Sequence, residues 1–206
     1  MKQGAVKMSI VDYGAGNLPS VERALQSLGA QTERVTRPEQ LAAARVVVLP
    51  GVGHFAAFVD GLEERSLTET LRTVSDSGVP ILGICLGLQA LFSSSREAPG
   101  KAGLNFISGE VEALPKNVKS PHIGWNQVRH QRESILLRGI PEEAYFYFAH
   151  SYAARGKEEH TVGVCDHGFP FAAVIERGNL MGVQFHPEKS GGAGAKLLQN
   201  FFESVQ

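Results

Sequence analysis

Two short segments, far apart in the chain, carry residues with the chemistry to cleave a bond: VPILGICLGLQALF at residues 79–92 and VQFHPEKS at residues 183–190. The first reads as an apolar strand running straight into a helix of apolar periodicity, with Cys85 at the junction. Gly83 and Gly87 flank it at two residues on either side, as a tight strand-to-helix elbow with an exposed thiol requires. A helix starting at Leu86 would point unpaired N–H groups at the sulfur, which favours thiolate and can bind an oxyanion. The bland alternative is a buried structural cysteine. The second segment supplies what a thiol nucleophile lacks. His186 is a base able to hold or accept the proton, and Glu188 is an acceptor able to fix the tautomer of that imidazole. Pro187 between them stiffens the backbone and biases His186 toward extended geometry. By itself His-Pro-Glu is also compatible with a solvated turn.

These side chains need elements to position them. Residues 6–11 form a short apolar strand; Leu18, Val21, Leu25 and Leu28 then recur at helical spacing, and Gly29 is placed to close that helix. Residues 46–49 and 81–84 are apolar runs short enough for parallel strands buried on both faces, with helical patterns between them. This predicts an α/β protein with an open, mostly parallel mixed sheet flanked by helices. From Asn105 the texture changes to strand-like segments without helices (106–114, 124–130, 144–152, 161–165 and 171–185), which predicts antiparallel strands in the C-terminal half. Arg177-Gly178-Asn179 reads as a hairpin turn, and residues 195–205 as a short amphipathic helix. In open α/β sheets ligands bind beyond the carboxyl ends of the strands, where PGVG at residues 50–53 and Cys85 both fall. PGVG is otherwise an ordinary turn after a buried strand.

The whole chain, residues 1–206, reads as a single domain. Its 43% hydrophobic and 20% charged composition is that of a globular protein able to bury its own core. A net charge of −1 gives no reason to expect nucleic acid or a polyanionic surface as partner. No signal-like apolar core or membrane-spanning run is visible, and two cysteines fit a reducing compartment, so a cytoplasmic enzyme is expected. Cys165 reads as a strand thiol.

PGVG, the elbow GICLGLQ and QFHPE, in that order along the chain, resemble the class I, triad-type glutamine amidotransferases. DYGAGN at 12–17, PGVGHF at 50–55, PHIGWN at 121–126 and HPEKS at 186–190 resemble more narrowly the glutaminase subunits of imidazole glycerol phosphate synthases. The resemblance implies a Cys85–His186–Glu188 triad hydrolysing glutamine through a γ-glutamyl thioester, with no cofactor or metal. It implies oxyanion donors at Val52 and Leu86 with Gly51 and Gly53 beside them, and substrate contacts at Gln89, Glu97, Ser151 and Tyr152. It implies ammonia transfer to a (β/α)₈-barrel cyclase subunit, which makes imidazole glycerol phosphate and aminoimidazole carboxamide ribotide in histidine biosynthesis. Since 206 residues cannot hold both this domain and a barrel of about 250 residues, the cyclase is expected as a separate chain. Trp125, Asn126, Tyr147 and Lys189 match its interface positions; bland readings are core or strand aromatics and solvated polar side chains. The rivals are a glutaminase subunit serving another biosynthetic amidotransferase, or a regulatory module without catalysis. An α/β-hydrolase would place its acid between nucleophile and histidine. The chain departs from the family pattern in an extension at residues 1–5, in serines at 93–95, and in Gly191-Gly192-Ala193-Gly194, which predicts a soft, mobile entry to the last helix.

Overall fold

The structure is a computed structural model that describes residues 6–206, so the extension at 1–5 lies outside the described residues. The N-terminal half alternates strands and helices: β1 (Lys7–Val11), α1 (Leu18–Gln26), β2 (Gln31–Val35), α2 (Pro38–Ala42), β3 (Val47–Gly51), α3 (Phe55–Glu64), α4 (Leu67–Asp76), β4 (Ile81–Cys85) and α5 (Leu86–Ala90). Strands then dominate: β5 (Phe92–Ser95), β6 (Ile107–Ala113), β7 (His122–Gln127), β8 (Arg129–His130), β9 (Tyr145–His150), β10 (Tyr152–Ala154), β11 (Thr161–Asp166), β12 (Pro170–Arg177) and β13 (Leu180–Val183), before α6 (Gly191–Ser204).

The main sheet runs β2-β1-β3-β4-β13-β12-β11-β8. Its first five strands are parallel and its last pairings antiparallel, so β13 is the joint: parallel to β4, antiparallel to β12. Period-two alternation sends side chains to two cores. Val48, Leu82 and Ile84 enter one, with α1 and α6; Val47, Leu49 and Ile81 enter the other, with α3, α4 and α5. Two small sheets complete the molecule, β10-β6-β5 and the hairpin-like pair β7-β9.

The expected α/β architecture is the one observed, with three local differences. β2 (QTERV) was not legible as a strand because it is an edge strand whose only fully buried residue is Val35. Phe92, read as the end of the elbow helix, instead begins β5, because α5 stops at Ala90 and the chain turns to pair in parallel with β6. The last helix starts at Gly191, not 195, so the glycine run is helix rather than a soft entry. Gly194 is needed there: a Cβ at this position would lie 2.0 Å from the Pro187 carbonyl oxygen. The hairpin is a two-residue turn at Gly178-Asn179, since Arg177 pairs directly with Leu180.

Candidate active site

Sheet register brings the chemistry together. Gly51, the last residue of β3, is the Cα partner of Cys85, the last of β4, and Val183, the last of β13, is the partner of Ile84. Three parallel strands therefore end side by side, and the chain leaving them carries Val52 and Gly53, Cys85, and, three residues past β13, His186. This is the carboxyl edge at which open α/β sheets bind ligands.

Cys85 sits at φ 54° and ψ −109°, a backbone conformation that costs a non-glycine residue about 1–3 kcal/mol and persists only where its surroundings impose it. What imposes it is close packing of α5 on the sheet: a Cβ on Gly87 would lie 1.8 Å from the Leu49 carbonyl oxygen. The glycines therefore serve the approach of helix to strand, not access to an exposed thiol as the sequence suggested. The thiol is in fact buried, with Cys85 only 5% exposed. It forms the floor of a cavity of about 190 Å³ whose lining includes Val52, Gln89, Glu97, Ser151, Tyr152 and His186. That is below the range of drug-sized pockets and suits a small metabolite.

His186 and Glu188 meet as the tripeptide suggested: Nδ1 and Oε1 are 3.0 Å apart, and the Glu188 side chain is 1% exposed. Burial disfavours the charged imidazole, but the Cys85 sulfur and the Glu188 carboxylate on either side outweigh it and push His186 up to about 10. The short 3₁₀ turn Pro187–Lys189 is held by Ser190, whose hydroxyl donates to the His186 carbonyl at 2.6 Å and accepts the Tyr147 N–H at 2.9 Å. The His186 N–H in turn donates to the Tyr147 carbonyl at 2.9 Å.

Of the two N–H groups expected to face an oxyanion, one already has a partner. The Val52 N–H donates to the Tyr13 hydroxyl at 3.0 Å, and that hydroxyl donates to the Val52 carbonyl, also at 3.0 Å. Tyr13 is buried and its ring packs 4.4 Å from Phe58, centroid to centroid. Burial pushes its titration up, the bond to Val52 works against this, and Cys85 and Asp12 add to the rise, so the phenol remains an O–H. The Val52 donor is therefore engaged by Tyr13 here. Leu86 opens α5 as anticipated, where first-turn N–H groups lack intrahelical partners.

Gln89, Glu97, Ser151 and Tyr152 all line the cavity. Gln89 is buried, with Nε2 donating to the Tyr152 carbonyl at 2.7 Å and to Gln184 Oε1 at 3.1 Å. One Glu97 carboxylate oxygen accepts the Phe55 N–H at 2.8 Å at the start of α3. Sequence reasoning missed Tyr13, Gln184 and Ser190. Tyr13 lies within DYGAGN and Ser190 ends HPEKS, so both had a motif signal; Gln184 stood out only as one polar residue in an apolar strand.

Residues 9–205 match the family model for glutamine amidotransferase class-I. The chain belongs to the class I glutamine amidotransferases. It is 50% identical to imidazole glycerol phosphate synthase subunit HisH of Moorella thermoacetica over 200 residues, covering 97% of this chain and 95% of that one. It is 46% identical to the subunit of the same name from Desulfitobacterium hafniense, over 94% and 92% of the two chains. A crystal structure titled as a glutamine amidotransferase superposes with a TM-score of 0.76 at 18% identity, over 96% of this chain and 97% of the other, and shares the fold.

The amidotransferase carries an exposed aromatic face on the β7–β9 pair. Trp125 is 54% exposed, faces Tyr147 in register, and meets its ring edge-on with centroids 6.0 Å apart; Lys189 Nζ lies 5.9 Å from the Tyr147 ring. Ile123 and Tyr145 extend the same face. Trp125 is thus not core. Asn126, next in β7, projects to the opposite face by strand alternation and bonds the Asp166 carbonyl at 3.0 Å, so the structure separates it from the other three interface candidates. No described helix is long and apolar enough to cross a membrane. A larger open groove of about 650 Å³, with Arg132, Arg138 and Glu176 in its lining, shares no lining residue with the Cys85 cavity.

Proposed function

We propose that this chain is the glutaminase subunit of an imidazole glycerol phosphate synthase, with residues 1–206 acting as one domain. The carrying observation is Cys85, held at positive φ in the floor of a small cavity beside the buried His186–Glu188 pair. In the proposed reaction the Cys85 thiolate attacks the carboxamide carbon of glutamine, and the carbonyl electron pair moves onto oxygen. The Leu86 N–H, and the Val52 N–H once released from Tyr13, stabilise that oxyanion. Its collapse breaks the C–N bond as His186 protonates the departing nitrogen, giving ammonia and a γ-glutamyl thioester. The now neutral imidazole takes a proton from water; hydroxide adds, the C–S bond breaks, and glutamate leaves with the thiolate restored. Glu188 holds the imidazole in register throughout. Gln89, Glu97 and the backbone at Ser151 and Tyr152 bind the amino-acid end of the substrate, a role supported by their shared place in the cavity wall.

Ammonia passes, in this reading, to a (β/α)₈-barrel cyclase subunit that makes imidazole glycerol phosphate and aminoimidazole carboxamide ribotide in histidine biosynthesis. The exposed face around Trp125, Tyr147 and Lys189 is the proposed docking surface, as aromatic anchors of this kind favour interfaces. A cytoplasmic setting is part of the proposal, supported by the two free cysteines. The test is glutamate release from glutamine by the chain alone, with the cyclase, and with the cyclase plus its nucleotide ligand. Strong stimulation that disappears in Cys85→Ala is expected; activity surviving that substitution, or indifference to the cyclase, would overturn the nucleophile or the partner respectively.

A further inference from the structure

We propose that Gln184 is a positioning residue for Cys85, holding an amide N–H against the sulfur so that the thiolate is favoured and aimed into the cavity; this deepens the glutaminase reading and rests on it. Gln184 directly follows β13, is fully buried, and places Nε2 3.7 Å from Cys85 Sγ. A buried carboxamide is costly unless its polar atoms are paired, so its presence between Val183 and Phe185 needs a reason in what it bonds.

Its partners decide which end of the amide meets the sulfur. The fixed point is the carbonyl oxygen of Tyr152, which can only accept. It takes one Gln89 Nε2 proton at 2.7 Å and the His150 Nδ1 proton at 2.9 Å. The second Gln89 amide proton goes to Gln184 Oε1 at 3.1 Å. Oε1 is therefore the acceptor end, and the donor end of Gln184 is turned toward Cys85. The same carbonyl sets the imidazoles behind it: His150, protonated on Nδ1, offers Nε2 as acceptor, and His122 donates to it from Nδ1 at 3.0 Å. Each bond from His122 to Cys85 thus has an assigned donor: the imidazoles donate toward the Tyr152 carbonyl from one side, and on the other Gln89 donates both to that carbonyl and to Gln184, which donates on to Cys85. A hydrogen bond donated to the charged form of an acid favours that form, and such bonds are strongest where water is excluded.

The experiment measures the pH dependence of iodoacetamide alkylation at Cys85, followed by peptide mass, in the full chain and in its Gln184→Leu and Gln184→Glu variants, with glutaminase kcat and KM alongside. We expect the alkylation midpoint of Gln184→Leu to move to higher pH, with kcat falling roughly tenfold, the worth of one hydrogen bond to a charged group, and KM moving less. Gln184→Glu keeps the volume and the acceptor for Gln89 but turns a carboxylate toward the sulfur, so its midpoint should move further up. Unchanged midpoints in both variants would overturn the proposal even if activity fell, because a hydrogen bond donated to the thiolate must appear in its titration. Alkylation is read without glutamine: a Gln184-dependent midpoint in a chain that releases no glutamate even with the cyclase and its nucleotide present would sink the glutaminase reading, whereas the effect of Gln184 on the thiol would stand.

Discussion

Cys85 and Val52 stand at the ends of neighbouring parallel strands, one residue apart in register, yet the two are held in different ways. The nucleophile is fixed by backbone packing: a positive φ at the end of β4, a helix start lodged against Leu49, and a base anchored through Ser190 and β9. The Val52 N–H is held by a single phenolic hydroxyl, which accepts from it and donates back to the same residue. Packing against backbone cannot be exchanged without moving an element, whereas one pair of hydrogen bonds, each contributing about 0.5–1.5 kcal/mol net, can be. On the proposed function, the half of the site that carries the nucleophile is already packed in place, whereas the Val52 N–H that would receive the oxyanion is engaged by Tyr13.

The largest effect should come from breaking the fixed half electrostatically. Glu188→Gln removes a charge that raises His186, so the imidazolium is lost at lower pH and the alkaline limb of kcat/KM moves down, while kcat falls by about 10²–10⁴. A pH–rate profile checks both. Next, Gly87→Ala drives a methyl into the Leu49 carbonyl and should lower the melting temperature by about 4–12 °C, taking overpacking at about 2–3 kcal/mol. An unchanged melt would show that the elbow is not set by that contact.

Tyr13→Phe tests the other half. It keeps the ring against Phe58 but removes the hydroxyl, so basal glutamate release should rise roughly three- to tenfold, the worth of the one bond that engages the Val52 N–H, while Cys85 alkylation stays as it was. A fall in release would mean that Tyr13 supports the oxyanion rather than withholding its donor.

The smallest expected effect concerns the histidines behind the cavity. Burial pushes His122 down to about 4, with His167 stacked on it adding to the fall; burial pushes His150 down to about 3, with His122, His167 and His186 adding and the Tyr152 carbonyl opposing. Both are neutral in the fold, whereas unfolded histidine takes a proton near 6.5. Below that value the unfolded chain binds more protons, so stability is fully present above about pH 6.5 and declines as pH falls toward 4. Melting curves at pH 7 and pH 5 should differ by several degrees, and His122→Phe should narrow the gap.

How much of this was legible in the sequence follows from what each feature depends on. The mixed α/β sheet, the elbow and the His186–Glu188 contact were readable because strand–turn–helix texture, Gly spacing and His-Pro-Glu are local patterns. β2 was not, because an edge strand with one buried residue has no apolar run to see. The glycines at 191–194 misled because propensity counts their cost in an open helix, whereas Gly194 is required by the Pro187 carbonyl. Asn126 was grouped with Trp125 because both lie in PHIGWN, but strand alternation sends neighbours to opposite faces. Tyr13 and Gln184 act through partners 39 and 99 residues away, which no local pattern encodes.

The most direct measurement compares two rates in the same preparation: Cys85 alkylation, which needs only the thiolate, and glutamate release, which also needs the oxyanion donors. In the free chain we expect fast alkylation with slow release, and on addition of the cyclase and its nucleotide a large rise in release with little change in alkylation. Rapid release by the free chain, or both rates rising together, would contradict a site whose nucleophile is assembled while its Val52 donor is withheld.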